Sequence, residues 1–380
     1  MLDRDSFVFQ GSKLKLAREL RMLTLAKVAE EIEVSHQIVS AWENNKRIPS
    51  FENLNKLEEL LKFPRRFFYA PSQLDIDGDL NFFRKSSAVA LKYQVQVKRI
   101  SSLFSLIAES FKSHVKLPEF QMPKYANFND KFFQIEFSEI ELIATKLRNQ
   151  LSLGLGPISN LTLAVERLGI RVHFEDLSSS KIDAMTDFKN NQPYIIINKS
   201  RLSSVRIRFN IAHELGHILL HSHYGKMEIS NKSNHKRIEA EANYFAGCFL
   251  LPEEGFVLDL SSTNMNHLVE LKKHWKVSLQ AIIYRGEQLN IIGSRQTLFL
   301  RQQISRNKWR YLEPYDDIIA IEYPTLFNKA IEFLSKEKPS SINDIINDVG
   351  INHDMLKQML NYNNKLVDLR PNTIPKLKLM

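Results

Sequence analysis

The stretch FNIAHELGHILLH, residues 209–221, restricts this chain more than any other. His213 and His217 are four residues apart, so on an α-helix both project from one face, about 5–6 Å apart at Cβ. Two imidazoles so placed can hold one metal ion, and zinc is the default for this pattern. Glu214, one step round the helix, then lies beside the ion's open position and can take a proton from water that the metal acidifies. The opposite face, Ile211, Ala212, Leu215, Ile218 and Leu219, is apolar and predicts a helix packed into a core. Gly216 costs about 1 kcal/mol against Ala inside a helix, so its presence predicts a close packing neighbour.

A catalytic zinc takes a third protein ligand. His221 is a poor candidate: on a straight helix it stands about 12 Å of rise from His213, so all three histidines cannot meet one ion. It is expected beside the ligands or on the surface. The better donor lies in RIEAEANYFAGCFLLP, residues 237–252, an apolar helix closed by Pro252. At 100° per residue Glu239 shares a face with Ala242, Asn243 and Ala246, small residues that let two helices approach, whereas Glu241 points nearly opposite. Glu239 is therefore favoured as the third ligand and Asn243 as a partner for a ligating histidine. Glu241 reads as a solvated charge or half of an ion pair. A donor for the tetrahedral oxyanion is also required, and Tyr194, His221, His223 and Tyr244 stand unranked. Two histidines and a carboxylate also suit Mn²⁺ or Fe²⁺.

The first 66 residues carry a different signal. TLAKVAEEIEVSHQIVSAWENNKRIPS reads as two short helices joined by a tight turn, with Thr24 and Ser35 as N-caps and Ala29, Val34 and Val39 at packing positions. The second helix exposes Ser35, His36, Gln37, Ser40, Ala41 and Asn44, a polar face fit for a groove of duplex DNA. Pro49 and Ser50 open a further helix. The local charge is thin, 12 Lys+Arg against 10 Asp+Glu in residues 1–70. The whole chain is more basic, at +9, and the densest basic run, residues 294–310, contains no acid.

Residues 71–79 are polar and turn-rich and read as a linker, followed by a long helix to about His114. From Glu136 a helix, a loop and a second helix lead to strands in IRVHFED, DAMTDFKNNQ and QPYIIINKS, with a turn at Asn190 and Asn191. Beyond Pro252 the pattern is helical, with breaks at Val277 and Gly350. The expected fold class is multidomain, mainly α with an α+β part. The expected divisions are residues 1–66, a four- to five-helix domain; 67–130, linker and long helix; 131–312, the metal-binding α+β domain; and 313–380, a helical region read as a small interaction module. Cys248 is the only cysteine, which excludes an intrachain disulfide and fits a reducing compartment. With no signal-peptide pattern and no apolar run of membrane length, a cytoplasmic location and no membrane partner are expected.

RIRFNIAHELGHILLH and EAEANYFAGCFLLP, with GLGPISNLTLAVERLGIRVHF and QPYIIIN upstream, resemble the ImmA/IrrE family of metallopeptidases, to about Asp317. The resemblance implies a gluzincin-like zinc fold, with His213, His217 and Glu239 as ligands and Glu214 as catalytic base. Residues 10–66 resemble the Cro/CI-type (Xre) helix-turn-helix. That resemblance implies His36, Gln37 and Ala41 facing bases and Ser35, Asn44 and Lys46 approaching phosphates. Two positions depart from it. Glu33 stands at the turn position usually held by Gly, and Leu25 replaces the Gln that starts the first motif helix, which together imply modest affinity aided by homodimerisation.

The expected function is thus a DNA-binding regulator whose zinc endopeptidase domain cleaves a repressor protein, with an operator in double-stranded DNA as its other partner. Self-cleavage within residues 71–79 is a subsidiary expectation. The rivals are a non-proteolytic transcription factor that uses the zinc fold as sensor or dimeriser, and a toxin–antitoxin-type partner-binding protein.

Overall fold

The amino-terminal helices form because each has a cap and a buried stripe. In the computed structural model, which describes residues 8–71, 81–82, 90–179, 181–200 and 203–362, α1 (Gly11–Leu20) buries Leu14, Leu16 and Ala17. α2 (Leu25–Glu31) is capped by Thr24, whose hydroxyl accepts from the Lys27 amide at 3.1 Å. Glu33 then takes φ +60°, the left-handed turn that the sequence assigns to it. α3 (His36–Glu43) follows Ser35, which occupies the N-cap position without a side-chain bond. Ser50 caps α4 (Phe51–Leu61), and a 3₁₀ turn over Arg65–Tyr69 completes the bundle. Arg18 grips Glu43 with two parallel hydrogen bonds, Nε to Oε1 at 2.5 Å and Nη2 to Oε2 at 2.9 Å, which fixes α3 against α1.

Most of the linker read at 71–79 lies outside the described residues, as do residues 1–7 and the tail from 363. The strands β1 (Asn81–Phe82), β2 (Arg171–Glu175), β3 (Ala184–Lys189) and β4 (Gln192–Asn198) make one sheet in the order β1-β3-β4-β2. β3 and β4 form the hairpin, closed by Asn190 and Asn191 at φ +49° and +61°, residues that tolerate this conformation. β2 runs parallel to β4. The sheet is buried on both faces. Met185, Tyr194 and Ile196 join one core, and Val172, Phe174, Ile195 and Ile197 join the other.

α5 (Leu91–Lys112) covers the first face, with Phe104 against Tyr194 at 5.8 Å. The second face is covered by α8 (Ser204–His221), an 18-residue helix. Around α8 lie α6 (Phe137–Gln150), α7 (Leu161–Arg167), the short α9 (Lys226–Ser230) and α10 (Lys232–Leu250). They are followed by α11 (Glu253–Asp259), α12 (Met265–Trp275), α13 (Leu279–Gln288) and α14 (Ser294–Arg306). Lys276, at φ +53°, turns the chain between α12 and α13 beside the break expected at Val277.

The carboxy-terminal helices α15 (Leu326–Glu337), α16 (Ser340–Val349) and α17 (His353–Met359) return to the amino-terminal bundle and share a core with it and with α5. Gly350, at φ +80°, lies so close to Phe67 and Ala70 that a Cβ there would sit 2.7 Å from each. Arg66 donates to the Ile351 carbonyl and to Asn347 Oδ1. The region from 313 thus divides: residues 313–324 run without a helix along α8 and α12, where Glu322 meets Arg208 and Glu313 meets Lys272, and α15–α17 pack on the helix-turn-helix bundle. Among the described residues no helix is long and apolar enough to cross a membrane.

Candidate metal centre and DNA-binding surface

α8 and α10 touch where both are smallest. A Cβ on Gly216 would lie 3.1 Å from the Phe245 ring and 3.3 Å from the Ala242 backbone, so the glycine sets the distance between the helices. That approach carries Glu239 to the histidines. His213 Nε2 and His217 Nε2 are 3.0 Å apart, Glu239 Oε2 is 3.6 Å from the first, and Glu239 Oε1 is 3.5 Å from the second. Donors around a tetrahedral zinc at about 2.0–2.1 Å lie roughly 3.3 Å from one another, so these separations fit an ion of that size. Among the described residues this trio is the cluster able to hold a metal.

The far nitrogens are occupied in a way that turns both Nε2 atoms inward. His213 Nδ1 lies 3.0 Å from Asn243 Oδ1, an acceptor that makes Nδ1 the protonated nitrogen. His217 Nδ1 lies 3.0 Å from His221 Nδ1, and His221 Nε2 lies 3.1 Å from Glu241 Oε2. His221 is fully buried, and burial holds its pKa down to about 4, partly offset by Glu241. A neutral His221 can accept from His217 and donate to Glu241. Glu241 is not solvated: it is also fully buried, and it accepts from Arg237 Nε at 2.7 Å and from the Ile135 amide at 2.9 Å. The ion-pair reading of Glu241 holds, and the solvated one does not.

Glu214 is buried, and its Oε2 accepts a 2.6 Å hydrogen bond from Thr186 Oγ1 on β3. Thr186 escaped the sequence reading. The hairpin alternation could have placed it, because Thr186 pairs with Ile195, whose side chain faces α8.

The same alternation corrects one oxyanion candidate. Tyr194 pairs with Asp187 on the opposite face of the sheet, packs against Phe104 and is turned away from α8. Burial pushes its phenol far up from the ordinary value. His223 is exposed against Phe128, with ring centroids 5.0 Å apart, and Tyr244 stacks on Phe137 at 4.3 Å while donating to Glu141 Oε2 at 3.3 Å. His221 is committed to His217 and Glu241. Tyr194 and His221 are thus engaged away from the space in front of the metal trio.

On the amino-terminal bundle Ser35, His36, Gln37, Asn44 and Lys46 are exposed, and Ser40 and Ala41 are half-buried. α3 therefore offers its first turn and one flank to solvent. Its end is held by Asn45, whose Oδ1 accepts from the Gly11 amide at 2.6 Å. Glu33 pairs with Lys56 at 2.7 Å, a surface contact beside the strained turn.

A bundle of this shape joined to a histidine–carboxylate helix pair defines a class: a DNA-binding domain followed by a metallopeptidase-type domain. Comparison with known families agrees. Residues 14–68 match the helix-turn-helix family model, and residues 165–287 match the Peptidase M78 model, described as the IrrE N-terminal-like domain. The chain thus carries a helix-turn-helix domain fused to an IrrE-like domain of the M78 peptidase type. A Mycobacterium tuberculosis transcriptional regulator of known structure is similar at 17% identity and a TM-score of 0.30, covering 40% of this chain. This chain spans 46% of that protein's length. No curated protein matches.

Proposed function

We propose that this protein is a transcriptional regulator that binds an operator in duplex DNA and whose second domain is a zinc endopeptidase that cleaves a transcriptional repressor. The observation that carries the reading is the convergence of His213 Nε2, His217 Nε2 and the Glu239 carboxylate within one ion's reach, with Glu214 next along the helix. His213, His217 and Glu239 would hold the ion. A zinc ion bound there would supply Lewis acidity to a peptide carbonyl and acidify water. Mn²⁺ and Fe²⁺ suit the same donors.

Glu214 is the general base in this reading. Thr186 Oγ1 donates to Oε2 and orients the carboxylate, which would take the proton of the attacking water and pass it to the leaving amine. Asn243 and the His221–Glu241 pair fix the imidazoles by accepting from their Nδ1 side, so the ligands need little reorganisation when an ion enters.

Ser35, His36, Gln37, Ser40, Ala41, Asn44 and Lys46 form the operator surface, and a homodimer is the DNA-bound unit. A single bundle with thin charge and a strained turn at Glu33 binds weakly, and two half-sites compensate.

The test begins with metal content. Wild type and Glu214→Gln should carry about one zinc per chain, and His217→Ala and Glu239→Ala should lose it. Proteome-wide mapping of new amino termini in cells expressing wild type or Glu214→Gln should then reveal a cut in a DNA-binding repressor in wild type alone. If regulation survives Glu214→Gln with metal still bound, the domain is a sensor or dimeriser and the peptidase reading fails. A stable stoichiometric complex without any cut product would instead favour partner blocking.

A further inference from the structure

A cleft of about 780 Å³ opens beside Asn243, the residue that holds His213. It runs along α8 past Asn210, Phe209 and Arg206, the turns that precede the HELGH segment. Its far wall is Tyr284 of α13, Arg301 of α14 and Arg310 just beyond. The volume suits a short extended segment of polypeptide.

The charge of the lining is one-sided. Arg206, Arg301 and Arg310 face two acids, Asp183 and Glu313. Glu313 is buried and already committed, accepting from Lys272 Nζ at 2.8 Å and from the Leu279 amide at 3.0 Å. Arg301, an exposed side chain, pairs with the half-buried Glu287 at 3.2 Å, and such a surface pair exchanges for another carboxylate. Arg206 donates to the Arg310 carbonyl, which pins the end of the basic run against α8. That run, residues 294–310, has no acidic residue, so its field reaches the mouth of the cleft undiminished from within.

We propose that this cleft is the substrate channel of the metal centre and that it selects an acidic segment of protein. This deepens the peptidase reading and rests on it. Carboxylates of the segment meet Arg301 and Arg310, and apolar side chains meet Tyr284. Exposed apolar side chains on α14 and just after it favour a peptide over a nucleic acid. Leu298 and Phe299 on α14, with Tyr311 and Leu312 after it, are exposed large apolar residues. A phosphate backbone has no use for them, whereas a protein partner buries them. The concave wall beside Asn243, which holds a metal ligand, also suits a chain threaded past it better than a duplex resting on a flat face.

The experiment is direct binding to full-length Glu214→Gln protein, loaded with zinc and unable to turn over. Three fluorescent peptides share a Leu-Phe centre and carry flanks rich in Asp and Glu, in Ser, or in Lys. The acidic peptide should bind about tenfold or more tighter than the Ser peptide, and the Lys peptide weakest. Added Arg301→Glu and Arg310→Glu substitutions, both at exposed side chains, should erase the preference or reverse it while zinc content stays unchanged. Equal binding of the three peptides overturns the proposal. So does a double variant that keeps its acidic preference but loses affinity for a DNA duplex, which would make α14 a DNA contact. Acidic selectivity in a wild type that cuts nothing would defeat the peptidase reading and leave the channel's selectivity standing.

Discussion

His221 and Glu241, both fully buried, meet at 3.1 Å at the back of the metal trio. Glu241 thereby carries the far end of a chain that begins at His217 Nε2 and passes through both imidazoles. Glu241→Gln keeps the volume and removes the charge that Arg237 and the Ile135 amide also use. Breaking one member of such a buried set costs about 3 kcal/mol or more. Loss of the acceptor behind a ligating histidine lowers metal affinity roughly 10- to 100-fold. The two effects separate by experiment. Thermal unfolding in chelator reports the first, and competition against a chromophoric zinc chelator reports the second. Glu239→Ala should show the opposite balance, with zinc gone and the metal-free protein melting close to wild type. If Glu241→Gln binds zinc with unchanged affinity, the His217–His221 link does not orient the ligand.

Gly216 is a second place where packing and site meet. Alanine there would gain about 1 kcal/mol of helix propensity, but its Cβ would press on Phe245 and on the Ala242 backbone at 3.1–3.3 Å. The ring can yield; the backbone of α10 yields only by moving Glu239. Gly216→Val, with two more carbons, should destabilise by about 2 kcal/mol or more and weaken zinc binding together with it. Unfolding in denaturant and zinc titration on the same preparation check both. A variant as stable as wild type would mean that the helices slide apart without cost.

How far the sequence reveals this depends on whether the signal is local. The helical spacing of His213 and His217 and the small residues around Glu239 sit on single helices, so periodicity alone brings the trio together. Glu241 fails that logic because α8 runs on a further turn to His221 and the segment before α6 brings the Ile135 amide from another side. A residue off the ligand face of α10 still finds buried partners. Tyr194 fails for a related reason. Every residue of β4 is buried, so no polar alternation tells which side of the strand faces α8. The return of α15–α17 to the amino-terminal bundle rests on contacts nearly 300 residues apart, such as Arg66 with Asn347, and nothing local encodes them.

That shared core contains a buried cation whose titration is measurable. Lys13 is fully buried, its Nζ donates to the Ala70 carbonyl at 2.8 Å, and burial holds its pKa down to about 8, with Asp348 opposing. The folded pKa lies below the ordinary 10.5, so between these values the unfolded chain holds a proton that the folded chain lacks. Stability from this group therefore rises with pH across the window, and below about pH 8 its cost is fully present. Lys13→Met should be at its most favourable relative to wild type at pH 7. That advantage should shrink by up to about 3 kcal/mol as pH approaches 10.5. Urea unfolding of both proteins at pH 7 and pH 10 gives the comparison, and a difference that does not change with pH would show that Lys13 is unperturbed.

The operator surface makes two separable demands. Gln37 lies exposed on the first turn of α3, where side chains reach base edges, whereas Lys46 lies just past its end, where the backbone of DNA passes. Gln37→Ala should therefore cost about 1–3 kcal/mol on the preferred operator and little on unrelated duplexes, lowering the ratio between them. Lys46→Ala should weaken both alike and reduce the slope of log affinity against log salt by about one per site. A titration of operator and scrambled duplex at several salt concentrations distinguishes the two patterns. Equal loss on both duplexes from Gln37→Ala would remove Gln37 from base reading and shift the sequence contacts to His36 and Ala41. The arrangement of Arg18 and Glu43 predicts that both variants stay folded, because neither substituted side chain touches the pair that anchors α3 to α1.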